Sequence, residues 1–102
     1  MTAKEYLQNT TAKLNESEIE DVNTTLHFDF GSETYTMNVA AGKAELKEGF
    51  EGTAECVIKA NEADFVKIAT GDMNPMMAMM MGKLKISNPG AMMKYAKMLG
   101  LM

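Results

Sequence analysis

At 102 residues the chain has room for one hydrophobic core and one domain, 1–102, and none for separate catalytic and regulatory modules. With 46% hydrophobic and 24% charged residues it has the composition of an ordinary globular protein; its longest apolar run, Met76 to Met81, falls far short of the roughly 20 residues that span a bilayer, and a lone Cys56 excludes an internal disulfide framework. The net charge of −4 and the absence of arginine argue against nucleic-acid binding, the opening Met-Thr-Ala-Lys-Glu is too polar for a secretory signal, and a cytoplasmic location is expected.

The N-terminal helix, 1–15, opens on Thr2 as N-cap with Glu5 completing a capping box, and Ala3, Leu7, Thr10 and Leu14 recur on one side of it. An acidic connection, Glu16 to Asp21, leads into a region where the period changes to two. Leu26, Phe28 and Phe30 alternate with Thr25, His27 and Asp29; after Gly31-Ser32-Glu33, Tyr35, Met37 and Val39 alternate with Thr34, Thr36 and Asn38. A weaker strand runs from Gly42 to Lys47 and a fourth from Ala54 to Ala60, so residues 22–60 read as a four-strand meander. This reading leaves His27 on the exposed polar side and Cys56 among the apolar residues.

Two short helices occupy 61–82. Asn61 caps the first, whose apolar stripe is Phe65, Ile68 and Ala69 and which Gly71 ends; Asn74-Pro75 launches the second, which runs through the methionines to Gly82. Lys83 to Ser87 alternates as a fifth strand with Leu84 and Ile86 facing in. Asn88-Pro89 repeats the cap-and-proline device and starts a last helix, 89–99, with Met92, Ala96 and Leu99 on one stripe and Lys94 and Lys97 on the wet side.

Ten of the twelve methionines lie between Met73 and Met102, a segment that also holds Lys83, Lys85, Lys94 and Lys97 and no acidic residue. Thioether side chains are unbranched and polarizable and re-pack around guests of differing shape, whereas a rigid core favours Leu, Ile and Val. A basic, methionine-rich face also suits anionic lipid headgroups. The alternatives are that these lysines merely solubilise a helix and a strand and that the methionines fill a core.

Catalysis finds little support, because one His27, one Cys56 and no Gly-x-Ser-x-Gly turn supply neither a paired base nor an orienting group; no catalytic residue is assigned. Two soft ligands are too few for a closed zinc site, and no glycine-rich loop has nucleotide spacing, so neither a metal nor a cofactor is expected. Met76 with Met80, or Met77 with Met81, stands one turn apart and would suit Cu(I), although no His or Cys accompanies them. The stronger reading is an apolar cavity. Burying about twelve methylenes at about 0.8 kcal/mol each gives roughly 10 kcal/mol, enough for micromolar binding after association costs of at least about 4 kcal/mol.

Asp64-Phe65, Thr70-Gly71, Met73-Asn74-Pro75, Ala78 and Gly82-Lys83-Leu84-Lys85-Ile86, followed by a methionine-bearing terminal helix, resemble the sterol carrier protein 2 family. The likeness extends less specifically to Cys56-Val-Ile-Lys-Ala60 and the hairpin at 22–39. It implies an α/β (α+β) fold, a five-stranded, mostly antiparallel sheet covered by short helices that enclose an apolar tunnel. It also implies a non-enzymatic intracellular carrier of a fatty acid, fatty acyl-CoA, sterol-like or phospholipid guest, acting alone or as an accessory domain that presents lipid to a lipid-metabolising enzyme.

Carried onto this chain, the tunnel lining would be Phe65, Ile68, Met76, Met77, Met80, Met81, Met92, Met93 and Leu99, with Lys83, Lys85, Lys94 or Lys97 assisting an anionic headgroup. Where many relatives have paired phenylalanines, Met79-Met80 stands here, which widens the range of guests. The short N-terminal helix with its acidic flank weakens the case for membrane delivery through that helix, leaving transient contact with an anionic membrane as an expectation. The ending Gly-Leu-Met lacks a Ser-Lys-Leu type address, so a bacterial or archaeal cytoplasmic origin is expected.

Overall fold

A computed structural model of the chain describes residues 1–17, 19 and 21–95. Its elements run α1 (Ala3–Asn15), β1 (Thr24–Asp29), β2 (Thr34–Ala40), β3 (Lys43–Glu48), β4 (Cys56–Ala60), α2 (Glu62–Ala69), α3 (Pro75–Met80), β5 (Leu84–Ile86) and α4 (Pro89–Tyr95). Four helices therefore accompany a five-stranded sheet, the α+β arrangement expected from the sequence.

Period-two residues decide which side of that sheet is dry. Leu26 pairs with Met37, and Met37 with Leu46; Phe28 lies between Tyr35 and Ile58, and Leu26 faces Cys56 across the β1–β4 ladder. All of these lie on one face, and α1 and α2 close over it, because Tyr6 of α1 and Phe28 of β1 both meet the ring of Phe65 edge-on, at 5.8 and 6.0 Å. Phe30 adds a third contact to Phe65 at 5.0 Å. The buried residues of α1 are Ala3, Leu7, Thr10 and Leu14, the stripe read from the sequence, and its capping box forms with Thr2 Oγ1 accepting from the Glu5 N–H at 3.1 Å.

At Ala44 the free edge of β3 is capped by a side chain. Asn15 at the end of α1 donates its amide to the Ala44 carbonyl at 2.9 Å and accepts the Ala44 N–H at 2.8 Å, which satisfies backbone groups that an open edge would offer to another chain. Lys4 and Glu48 add an exposed ion pair at 2.8 Å between the same two elements.

The first three strands form the expected meander, but β4 does not continue it. The strand order is β3-β2-β1-β4-β5, and β4 runs parallel to β1. The expectation of a four-strand meander is thereby corrected. Residues 49–55 do not turn back beside β3; fully extended they reach roughly 23 Å at about 3.3 Å each, enough to cross the sheet diagonally on the face away from the helices. Their bonds trace that path: the Gly49 N–H to the Thr34 carbonyl at 2.8 Å, the Glu51 N–H to Thr36 Oγ1 at 2.9 Å, and the Glu55 N–H to the Thr25 carbonyl at 2.8 Å.

This strap reverses a second expectation. His27 is buried, with Phe50 stacked on its ring at 4.5 Å and 6° and the Glu51 carbonyl 3.0 Å from Nε2. A carbonyl only accepts, so Nε2 carries the proton in this contact. The imidazole is on the polar face as the alternation requires, but the strap covers it.

Candidate functional site

The residues expected to line an apolar site divide into two groups. Phe65 and Ile68 on α2 and Met92 on α4 point inward and are buried. Met76, Met77, Met80 and Met81 are exposed, at 72% for Met76 and 86% for Met80, and so is Met93. Leu99 and Lys97 lie outside the described residues, as does the end of the last helix beyond Tyr95.

The local reason for the exposure lies in α3 itself. Asn74 caps it by accepting the Met76 and Met77 N–H groups at 2.8 and 3.3 Å, and Pro75 occupies the first turn. Only six residues follow before Gly82, at φ 75°, turns the chain into β5. Ala78 is the one buried residue of α3. A methyl side chain at the contact draws the helix against its neighbours, and five methionine side chains are left radiating toward water.

Lys83, Lys85 and Lys94 are all exposed. Lys83 and Lys85 share an open cleft of about 400 Å³ with Lys59, Asp64, Phe30 and Ala60, and Gly82 forms part of its wall. Lys59 stands directly opposite Lys85 in the antiparallel β4–β5 pair. Among the described residues no carboxylate lies within ion-pair distance of these three ammonium groups; the two ion pairs found are Lys4–Glu48 and Lys47–Glu51. Lys59, Phe30 and Asp64 escape a reading from sequence, since only the β4–β5 pairing and the return of the β1–β2 turn bring them beside Lys83 and Lys85. A second open cleft, about 410 Å³, lies at the other end of the sheet between Thr25, Asn38 and Thr53 and is lined by none of the expected residues.

Among the described residues the single histidine and the single cysteine do not converge. His27 and Cys56 are on adjacent strands, but Cys56 pairs with Leu26 on the helix-covered face while His27 pairs with Val57 on the strap-covered one, so the sheet separates thiol from imidazole. Among the described residues no three His, Cys, Asp or Glu side chains converge as metal ligands, and no helix is long and apolar enough to cross a membrane. The displaced titrations are structural. Burial, reinforced by its 2.6 Å hydrogen bond to Glu33, pushes the Tyr35 phenol up to about 12. The backbone N–H of Thr2 bonded to the Glu5 carboxylate lowers Glu5, and the hydrogen bond from Lys4 lowers Glu48.

Comparison with known proteins gives this geometry a context. The sequence profile described as the SCP-2 sterol transfer family matches residues 2–100. Human sterol carrier protein 2 is 39% identical over 62 residues, which is 60% of this chain and 11% of that protein; the chain thus spans about a tenth of the length of this curated relative. Among solved structures, a double mutant of the sec-alkyl sulfatase PisA1, an enzyme from Pseudomonas sp., aligns with the whole chain at a TM-score of 0.81 and 17% identity, over 16% of its own length. The solution structure of palmitated SCP2L2 from Aedes aegypti aligns at a TM-score of 0.73 and 15% identity, over 97% of this chain and 95% of that one. At these identities the two structures establish a shared fold.

Proposed function

The chain belongs to the SCP-2 sterol transfer family, and from that premise we propose that it is a non-enzymatic carrier, working in the cytoplasm, that holds an apolar lipid: a fatty acid, fatty acyl-CoA, sterol-like molecule or phospholipid. One observation carries the reading. A protein with this fold along nearly its whole length is described as palmitated. The guest would lie against Phe65, Ile68 and Met92, and α3 would supply the adaptable wall through Met76, Met77, Met80 and Met81. With Ala78 as its single buried residue, α3 has little burial to lose when it shifts. Leu99 and Met93 complete the proposed lining, and Lys83, Lys85, Lys94 and Lys97 would offer charge to an acidic headgroup.

Hydrocarbon burial supplies the driving force, and no particular polar residue is required, which fits a site built from thioethers. The test is native mass spectrometry of freshly purified protein, with lipid extraction and titration by a fluorescent fatty acid. Co-purifying lipid and micromolar binding are expected. Empty preparations together with no binding below about 100 μM would overturn the reading.

A second reading follows from the sulfatase likeness: the same fold forms 16% of a longer enzyme chain. As an accessory domain presenting lipid to an enzyme, the protein would bind the same guests but also recover a stable enzyme partner in pull-downs.

A further inference from the structure

We infer that α3 is a modification site: a two-electron oxidant, hydrogen peroxide, reversibly converts its thioethers to sulfoxides, and the conversion switches off binding of an apolar guest. The switching rests on the carrier reading above; the site itself does not.

Access singles out these sulfurs. Met76, Met77, Met79, Met80 and Met81 are exposed, from 40% at Met79 to 86% at Met80, whereas Met37 has no exposed surface and Met92 is buried. The thiol of Cys56, a competing target for peroxide, is buried as well, and susceptibility to oxidation follows exposure. Met1 and Met93 are also exposed, but one precedes α1 and the other lies on α4. On α3 five thioethers fall within six residues, Met80 one turn from Met76 and Met81 one turn from Met77, so successive oxygen atoms accumulate on a single short surface.

The fold separates this chemistry from its own stability. α3 is held by the Asn74 cap and by Ala78, its one buried residue, and neither carries sulfur. A sulfoxide in a packed core disrupts it, but on this helix the added oxygen meets water. Against an acyl chain the same oxygen is costly, because closing the wall buries a strong acceptor to which hydrocarbon offers no donor. In the forward step a sulfur lone pair attacks one peroxide oxygen; the S–O bond forms as the O–O bond breaks, and the departing hydroxide takes up the remaining proton and leaves as water. Sulfur loses two electrons and peroxide gains them. Two thiols of a methionine sulfoxide reductase return those electrons, forming a disulfide and releasing the oxygen as water, with one reductase type for each sulfoxide epimer.

The test treats the folded wild-type protein with graded hydrogen peroxide, locates the added oxygen by peptide mass spectrometry, and measures urea unfolding and fluorescent fatty-acid binding before oxidation, after it, and after incubation with both reductase types and dithiothreitol. The α3 methionines are expected to gain oxygen before Met37 and Met92, with the urea midpoint nearly unmoved, fatty-acid affinity about tenfold or more weaker, and affinity restored by the reductases. Met76→Leu/Met77→Leu/Met79→Leu/Met80→Leu/Met81→Leu keeps every other methionine; whatever its starting affinity, its values before and after peroxide should agree. Oxidation of Met37 or Met92 ahead of α3, a large fall in the urea midpoint on α3 oxidation, equal binding by oxidised and reduced wild type, or an equal loss in the leucine variant overturns the proposal. Reduced wild type that binds no fatty acid overturns the carrier reading and the switching with it, while the order of oxidation and its repair still decide the modification site.

Discussion

Replacing Met76 and Met80 together by serine separates two physical roles for the methionine helix. Full burial of a methionine side chain is worth about 1.5–3 kcal/mol, but at 72% and 86% exposure only about a quarter and a seventh of that burial exists to be lost. Adding a few tenths of a kcal/mol per site for helix propensity, the double variant should be destabilised by about 1–1.5 kcal/mol. Met37→Ala, at a site with no exposed surface, should lose about 2–5 kcal/mol. Urea unfolding of both variants gives the comparison, and titration with a fluorescent fatty acid gives the functional half. If these thioethers close on a guest, affinity falls about tenfold or more in Met76→Ser/Met80→Ser while stability falls by no more than that loss of about 1–1.5 kcal/mol. A loss of 3 kcal/mol or more in the double variant would refute the placement of these residues on the surface, and unchanged affinity would refute their role as the guest's wall.

Two further changes test the frame. Ala41 holds φ 53° in the two-residue β2–β3 turn, beside Gly42 at φ 79°, where a side chain costs roughly 1–2 kcal/mol. Because glycine gives back about 0.5–1 kcal/mol through its freer unfolded chain, Ala41→Gly should gain about 0.5–1 kcal/mol in urea unfolding, and a loss would show that the turn is not strained. The Tyr35 phenol, held protonated up to about 12 against an ordinary 10 by burial and by Glu33, makes the folded state the stronger proton binder. Its contribution is therefore complete below pH 10 and disappears as pH climbs toward 12, a loss of about 2 kcal/mol. Tyr6, raised by burial, and Lys4, raised by its hydrogen bond to Glu48, act in the same direction. Unfolding of Tyr35→Phe between pH 9 and about 11.5 should show a shallower decline than wild type; identical slopes would remove Tyr35 from the account.

Local chemistry made much of this protein readable in one dimension. Thr2 with Glu5, Asn61, Asn74-Pro75 and Gly82 are cap and stop signals whose bonds span a few residues, so no distant partner can overrule them, and each helix begins where its cap stands. The alternation through Leu26, Phe28, Tyr35, Met37 and Val39 likewise fixed which side chains face the helices, because a strand has only two faces. The string from Phe65 to Ile86 pointed to the family, and the profile match over residues 2–100 agrees. What local pattern cannot carry is the choice of neighbours. Whether residues 49–55 turn back or cross the sheet depends on which ladder gains more burial, and the crossing that set β4 parallel to β1 also buried His27. The charged cleft arose the same way: Lys59 and Lys85 are far apart in the chain and meet only because β4 and β5 pair. Nor does a run of methionines say how it is oriented. A six-residue helix anchored by one alanine shows most of its circumference to water, a consequence of packing geometry that hydrophobicity alone does not determine.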